Sequence, residues 1–302
     1  MTSIQLGIHL PISGPGASPE AIAQVAEEAE RAGLDSVWAW ERLMRPTVPI
    51  PMGGPGGPVM DAPEDFGTVY DPIDTLAYVA ARTSRIALGT SVLDGLFQSP
   101  VILARRLATL DRLSSGRLLV GIGQGWMAQE FAAAGVPMSR RGAGFEEHLL
   151  AMRAVWGPDP VQFEGRHYHV PEAAIGPKPV RPDGPRLTIG AASPTAVERA
   201  GRLGTGLALV IFDWDTVREA VATFRSAAGA AGHGPETLPV MLQVNGNITD
   251  TPPDERGPLL GSSEQVAADL DQAEQLGVDH VYWHSDGDPM DQLPLVAELR
   301  RG

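Results

Sequence analysis

The chain has 302 residues, no cysteine, one lysine (Lys178) and a formal net charge of −14 at pH 7. That length suits two average domains or one long α/β barrel. The negative charge without a basic stripe excludes a nucleic-acid partner, and the missing cysteines exclude disulfides, thiolate nucleophiles and cysteine-bound metals. With no apolar run near 18 residues and no signal-type N-terminus, the expectation is a cytoplasmic protein with no membrane span.

Ile4 to Leu10 reads as a short strand. Pro19 to Ala32 reads as a helix, with Ser18 as its N-cap and Ile22, Val25, Ala26 and Ala29 on one face. Gly33 closes it, and Ser36 to Trp40 is a second strand. The Pro/Gly segment Arg45 to Gly67 can be neither helix nor central strand. A loop that long in a compact chain is usually functional or mobile. Asp71 to Ser84 is the next helix, with Asp71 as N-cap and Pro72 in the first turn.

The stretch Arg85 to Phe131 organises the rest. Ile86 to Val92 is a strand, Pro100 to Leu113 a helix and Leu118 to Ile122 a second strand, which together make a βαβ unit. A helix over 144–156 follows, then an irregular stretch from Pro158 to Pro185. Leu187 to Gly190 leads into a helix opened by Ser193-Pro194, Leu207 to Phe212 into Thr216 to Ala228, and Val240 to Asn247 into the polar excursion 251–258. Ser263 to Leu276 is a helix, Asp279 to His284 a strand and Pro289 to Arg300 the last helix. Eight strand–helix pairs without a run of hairpins mean a parallel sheet. The expected fold is a (β/α)8 TIM barrel, one domain over 1–302 with insertions at about 43–70 and 158–185. The rival, an open doubly wound sheet, would need a G-x-G-x-x-G turn after the first strand, and none is present.

In such a barrel, ligands sit at the carboxyl ends of the strands. His9 ends the first strand, as a structural or an active-site histidine. Trp40-Glu41-Arg42 ends the second, as a proton-handling carboxylate beside an anion clamp or as an internal ion pair. Thr90-Ser91-Val92 ends the third, as small residues that allow close approach of a planar ligand or as a plain strand end. Gly123-Gln124-Gly125-Trp126 ends the fourth, as a backbone nest for anions or flat rings or as an ordinary turn. Arg140-Arg141 is a phosphate partner or a solvated pair. Ala191-Ala192-Ser193 ends the fifth, as a helix N-cap, a phosphate seat or both. His284 ends the last strand. His167, His169, His280 and His284 lack metal-ligand spacing.

Five blocks of sequence resemble the bacterial luciferase-like flavin and deazaflavin enzymes: AEEAERAGLDSVWAWERL, YDPIDTLAYVAARTSRIALGTSVL, SPVILARRLATLDRLSSGRLLVGIGQGW, GVPMSRRGAGFEEHLLAMRAVW and IGPKPVRPDGPRLTIGAASPTAVERAGRLG. The Glu41-Arg42 pair, GTSVLDGLF and GIGQGW are most similar to the subgroup that uses coenzyme F420. The resemblance fades after about Gly206. It implies a luciferase-like barrel, a homodimer, and a flavin-like ring against a non-prolyl cis peptide at Ser91-Val92. It also implies that Gly123, Gln124, Gly125 and Trp126 line the cofactor, and that Arg141, Ala191, Ala192 and Ser193 reach its phosphate. The implied activity is F420-dependent hydride transfer to or from a small organic substrate. An FMN-dependent monooxygenase and a non-catalytic deazaflavin carrier are the alternatives. Many members place a histidine after the acidic residue at the second strand end; here Arg42 stands there. His9, Glu41 or His284 must then handle the proton, with Trp40, Arg42 and Trp126 toward the substrate. Trp126 also stands where the sugar-phosphate dehydrogenases of the family carry a glutamate.

Overall fold

A computed structural model describes residues 3–54, 56–249 and 256–300. Eight parallel strands form the centre: β1 (Gln5–His9), β2 (Ser36–Ala39), β3 (Ala87–Thr90), β4 (Leu118–Gly123), β5 (Arg186–Gly190), β6 (Gly206–Val210), β7 (Val240–Asn245) and β8 (His280–His284). The hydrogen-bonded order is β5-β6-β7-β8-β1-β2-β3-β4, and β4 pairs back onto β5, so the sheet closes. Each strand leads to a helix of the outer layer: α1 (Pro19–Ala32), α2 (Pro72–Ala80), α3 (Pro100–Leu113), α4 (Ala143–Trp156), α5 (Pro194–Arg202), α6 (Trp214–Ala230), α7 (Ser263–Gln275) and α8 (Pro289–Glu298). This is the expected TIM barrel, with all eight expected strand–helix pairs in place.

Strands covered on both faces must be apolar throughout, and every residue of β4, LLVGIG, is buried. The barrel interior is filled by Trp38, Leu119, Ala208, Met241 and Tyr282. Trp38 and Tyr282 stack with centroids 4.0 Å apart. Gly7 and Gly89 make room for that indole: a Cβ would come within 2.7 Å of Trp38 Nε1 at Gly7 and 2.5 Å of Cδ2 at Gly89. Below the indole, Trp38 Nε1 donates to Ser36 Oγ at 2.6 Å, so the Ser36 hydroxyl proton goes to His280 Nε2, also at 2.6 Å. Burial, with a smaller push from Arg300, lowers the His280 pKa to about 3, and the ring stays neutral.

Local capping matches the sequence reading. Ser18 Oγ accepts from Ala21 N, and Asp71 Oδ1 accepts from Ile73 N and Asp74 N. The stretch Pro158–Pro185 departs from it, because Val161–Glu164 and His169–Ala173 pair as an antiparallel hairpin. The Glu147 carboxylate on α4 holds its turn by accepting from His167 N at 2.6 Å and Tyr168 N at 2.8 Å. That partner is distant in sequence, so the local pattern looks irregular. The Arg45–Gly67 excursion carries a two-residue ladder, Ile50–Pro51 against Val59–Met60, and a helical turn at Glu64–Gly67. Of the polar excursion 251–258, residues 251–255 lie outside the described residues. No helix among the described residues is long and apolar enough to cross a membrane.

Candidate active site

The strand ends of β1, β2, β3, β4, β5, β7 and β8 converge on one mouth. Its floor is the bulge after β3. Thr90 closes β3 by bonding Gly121 twice: its Oγ1 donates to Gly121 O at 2.8 Å and accepts from Gly121 N at 2.9 Å. The chain then turns through a cis peptide at Ser91-Val92, as the resemblance implied, and resumes as Leu93–Asp94 alongside Ile122–Gly123 of β4. The Val92 side chain lies among three glycines. A Cβ would meet its methyls at 3.2 Å from Gly121, 2.9 Å from Gly123 and 3.0 Å from Gly190. Side chains at those positions would crowd the bulge, so the glycines keep a flat, shallow seat.

Ser91 anchors the bulge from the barrel side. Its hydroxyl donates to Gln243 Oε1 at 2.6 Å, and Tyr282 OH lies 2.9 Å away as the matching donor. Gln243 Nε2 donates on to Asn245 Oδ1 at 2.8 Å. None of Tyr282, Gln243 and Asn245 was expected from sequence. Their signal was available: period-two alternation puts Gln243 and Asn245 on one face of β7, and Tyr282 and His284 on one face of β8.

Above Tyr282, His9 and His284 stack with centroids 4.6 Å apart, and Trp40 lies 6.0 Å from His284. His9 is only 2% exposed. Neither of its ring nitrogens has a hydrogen bond of ordinary geometry, although the Gln243 amide is close enough to favour the protonated ring. Burial first, and the His284 charge second, hold the His9 pKa well below the ordinary value. Burial also lowers His284, against the opposing carboxylates of Asp286 and Asp65. The mouth therefore presents two neutral imidazoles.

Glu41 turns away from this pair. Its Oε2 accepts from Asp94 N at 2.6 Å, which ties the end of β2 to the chain beyond the bulge. Burial, then the Asp94 charge, push Glu41 up to about 8. Burial pushes Asp94 up to about 7, opposed by Arg42. Arg42 is paired with the fully buried Glu130 at 2.7 Å and lies over the rings of Trp40, Phe66 and Trp126. Glu130 also accepts from Leu43 N at 2.7 Å.

The Gly123–Trp126 turn leaves β4 with Gly125 at φ 72°, tucked against Phe131. Gln124 Oε1 accepts from Gly142 N at 2.9 Å, tying the turn to the start of α4. Two arginines and a serine hydroxyl stand beside it. The Nε of Arg141 is buried without a partner. Arg199 of α5 brings Nη2 to 3.8 Å from where a Cβ on Gly142 would lie. Ser193 caps α5 without spending its hydroxyl on the cap. Sequence reasoning missed Arg199, which sits about one and a half turns into the helix that Ser193 opens.

The mouth of a closed β/α barrel thus brings together a glycine-lined bulge, a neutral histidine pair and a cationic rim. The sequence matches the profile of the luciferase-like monooxygenases over residues 3–257. The chain belongs to that family. An uncharacterised protein of Mycobacterium tuberculosis is 35% identical over 189 residues, 62% of this chain and 64% of that one. An F420-dependent glucose-6-phosphate dehydrogenase of Amycolatopsis mediterranei is 33% identical over 192 residues, 62% of this chain and 52% of that one. The match thus spans between half and two thirds of these relatives' length. Among solved structures, a monooxygenase from Streptomyces bottropensis superposes with a TM-score of 0.78 at 24% identity, covering 98% of this chain and 97% of that one. The F420-dependent tetrahydromethanopterin reductase from Methanopyrus kandleri gives 0.77 at 17% identity, covering 98% and 97%. At these identities the likeness establishes the fold.

Proposed function

We propose that this chain is an F420-dependent oxidoreductase that moves a hydride between the deazaflavin and a small organic substrate, acting as a homodimer. The observation that carries this reading is the bulge: Val92 set among Gly121, Gly123 and Gly190, with Ser91 fixed behind it. The F420-dependent relatives matched by sequence support the choice of cofactor. The residues fit such a group. The glycines form a cradle that Cβ atoms would fill, and the buried Arg141 Nε lacks a partner.

In this reading Val92, Gly123 and Gly125 back the ring, Gln124 and Trp126 flank it, and Arg141, Arg199 and Ser193 with the adjoining Ala191-Ala192 turn take the phosphate. When bound, the deazaflavin supplies the carbon that accepts or gives the hydride. The chain's own residues handle the proton. His284, nearer the rim, takes the hydroxyl proton of an alcohol as its carbon loses hydride. His9 stacks beneath and holds the ring in place. A neutral imidazole is a base, so at neutral pH the pair favours dehydrogenation over carbonyl reduction. Glu41 positions the bulge through Asp94 N. Trp40 and Trp126 wall the substrate side, and Arg42 stiffens that wall.

Parallel titrations of the purified protein with F420 and FMN test the proposal. F420 is expected to bind with a micromolar or lower Kd and FMN at least tenfold more weakly. Tight FMN binding without F420 binding would move the chain to the monooxygenases. Bound, reducible F420 with no turnover on any substrate would make it a carrier.

A further inference from the structure

The hydrogen bonds between the barrel interior and the mouth form one chain, and its direction is set from the buried end. Tyr282 is 1% exposed, and burial raises its pKa, so its hydroxyl keeps its proton. That hydroxyl has a single hydrogen-bond partner among the described residues, Ser91 Oγ at 2.9 Å. A buried O–H needs an acceptor, so Tyr282 donates. Ser91 then sends its own proton onward to Gln243 Oε1 at 2.6 Å. With that oxygen turned to Ser91, the Gln243 amide nitrogen faces the mouth and donates to Asn245 Oδ1 at 2.8 Å. Run the other way, the chain would leave the Tyr282 proton buried without an acceptor. The amide of Asn245 is therefore oriented with Nδ2 outermost, and Nδ2 donates to no group among the described residues. Asn245 is exposed at the end of β7 and pairs in register with His284 of β8. Alternation from Met241 and Gln243 puts it on the inner face. Neighbouring strands run about 4.8 Å apart, so a neutral imidazole and an oriented amide N–H stand side by side at the mouth.

We infer that Asn245 is a substrate-binding residue, whose Nδ2 donates to the reacting oxygen of the substrate while His284 faces the proton on that oxygen. The inference rests on the F420 oxidoreductase reading for its chemistry. A hydroxyl group offers one proton and two lone pairs. The neutral His284 ring takes the proton, and Asn245 Nδ2 takes a lone pair. In the oxidation a hydride leaves the carbinol carbon for F420, the hydroxyl proton goes to His284, and a C=O bond forms. The oxygen gains negative charge as its proton departs, and the bond from Asn245 strengthens at that moment. The donor needs no reorganisation, because Gln243 and Ser91 already hold it in place from Tyr282 upward.

NMR on the cofactor-free, 15N-labelled chain tests this apart from the reading it rests on. The Asn245 side-chain amide signals are assigned by their loss in Asn245→Asp. The probe is cyclohexanone, which carries an acceptor oxygen and no proton to give. Its titration is expected to move an Asn245 Nδ2 proton downfield, saturably, together with the ring signals of His284. Asn245→Asp keeps the Oδ1 that Gln243 needs and removes only the outer N–H. It is expected to weaken the probe at least tenfold, read on the His284 ring, with Tm and F420 affinity little changed. A probe that shifts His284 and leaves the Asn245 Nδ2 protons where they were overturns the inference, because the oxygen is then held elsewhere. So does a variant that binds the probe as tightly as wild type, or the absence of any signal up to the solubility of the probe. A saturable Nδ2 shift in a chain that fails to bind F420 sinks the cofactor reading and leaves Asn245 as the donor. F420 binding without that shift does the reverse.

Discussion

At the scale of single residues, the proton chemistry depends on where burial puts each titration. His9 and His284 are both held below the ordinary histidine value, burial being the largest cause in each. A base of lowered pKa stays unprotonated further into acid. The acid limb of kcat/KM for alcohol oxidation should therefore lie below about 6.5, the unperturbed histidine value. Activity at pH 6.5 is expected to exceed half of its value at pH 7.5; a limb centred at 7 or higher would contradict the assignment. His284→Ala should lower kcat/KM by about 100-fold or more and abolish that limb, while F420 binding is kept. In the proposed reading Trp40 and Trp126 wall the substrate side, so substitutions there should change KM and leave the limb in place.

At the scale of elements, the bulge after β3 is held by contacts from three directions. Thr90 fastens it to β4, Ser91 to β7 and β8, and Glu41 to the end of β2. Glu41 looks like an acid in the sequence, and its elevated pKa fits that, yet its oxygen is spent on Asp94 N. A glutamine can accept the same hydrogen bond without a charge. Glu41→Gln should retain kcat within about threefold of wild type, a factor worth about 0.7 kcal/mol. Glu41→Ala leaves a buried N–H without an acceptor, which costs about 1–3 kcal/mol. It should weaken F420 binding and lower Tm together. If Glu41→Gln instead abolished turnover with unchanged F420 affinity, Glu41 would be a direct proton donor and the clamp would be the lesser role.

At the scale of the whole molecule, the barrel was legible because its signals are local. Apolar strands such as LLVGIG, caps such as Ser18 and Asp71, and the Gly123–Gly125 turn each announce themselves within a few residues. The site was half legible for the same reason: strand ends can be named from sequence, but side-chain partners cannot. Arg42 reads as a free anion clamp until Glu130, 88 residues on, neutralises it. Ser36 and His280 are 244 residues apart and touch at 2.6 Å. Those long-range pairings also set how stability depends on pH. His280 and His148 are buried neutral, with burial lowering them to about 3 and about 4. As pH falls below about 6.5 the unfolded chain takes up protons that the folded chain refuses. Each such histidine then lowers stability by about 1.4 kcal/mol per pH unit, and His9 and His284 act in the same sense. The Glu41–Asp94 pair acts oppositely. Burial raises both pKa values, to about 8 and about 7. The folded pair keeps at least one proton near pH 7 that the unfolded chain released near pH 4, and this stabilisation is lost as pH rises toward 8. Four histidines outweigh one carboxyl pair on the acid side, and above about pH 6.5 the pair acts alone. Stability should therefore peak near pH 6 to 6.5 and fall on both sides, with the alkaline fall flattened in Glu41→Gln. A series of Tm measurements from pH 5 to 9 on both proteins checks this; a wild-type Tm level between pH 6.5 and 8.5 would show that the pair carries no proton there.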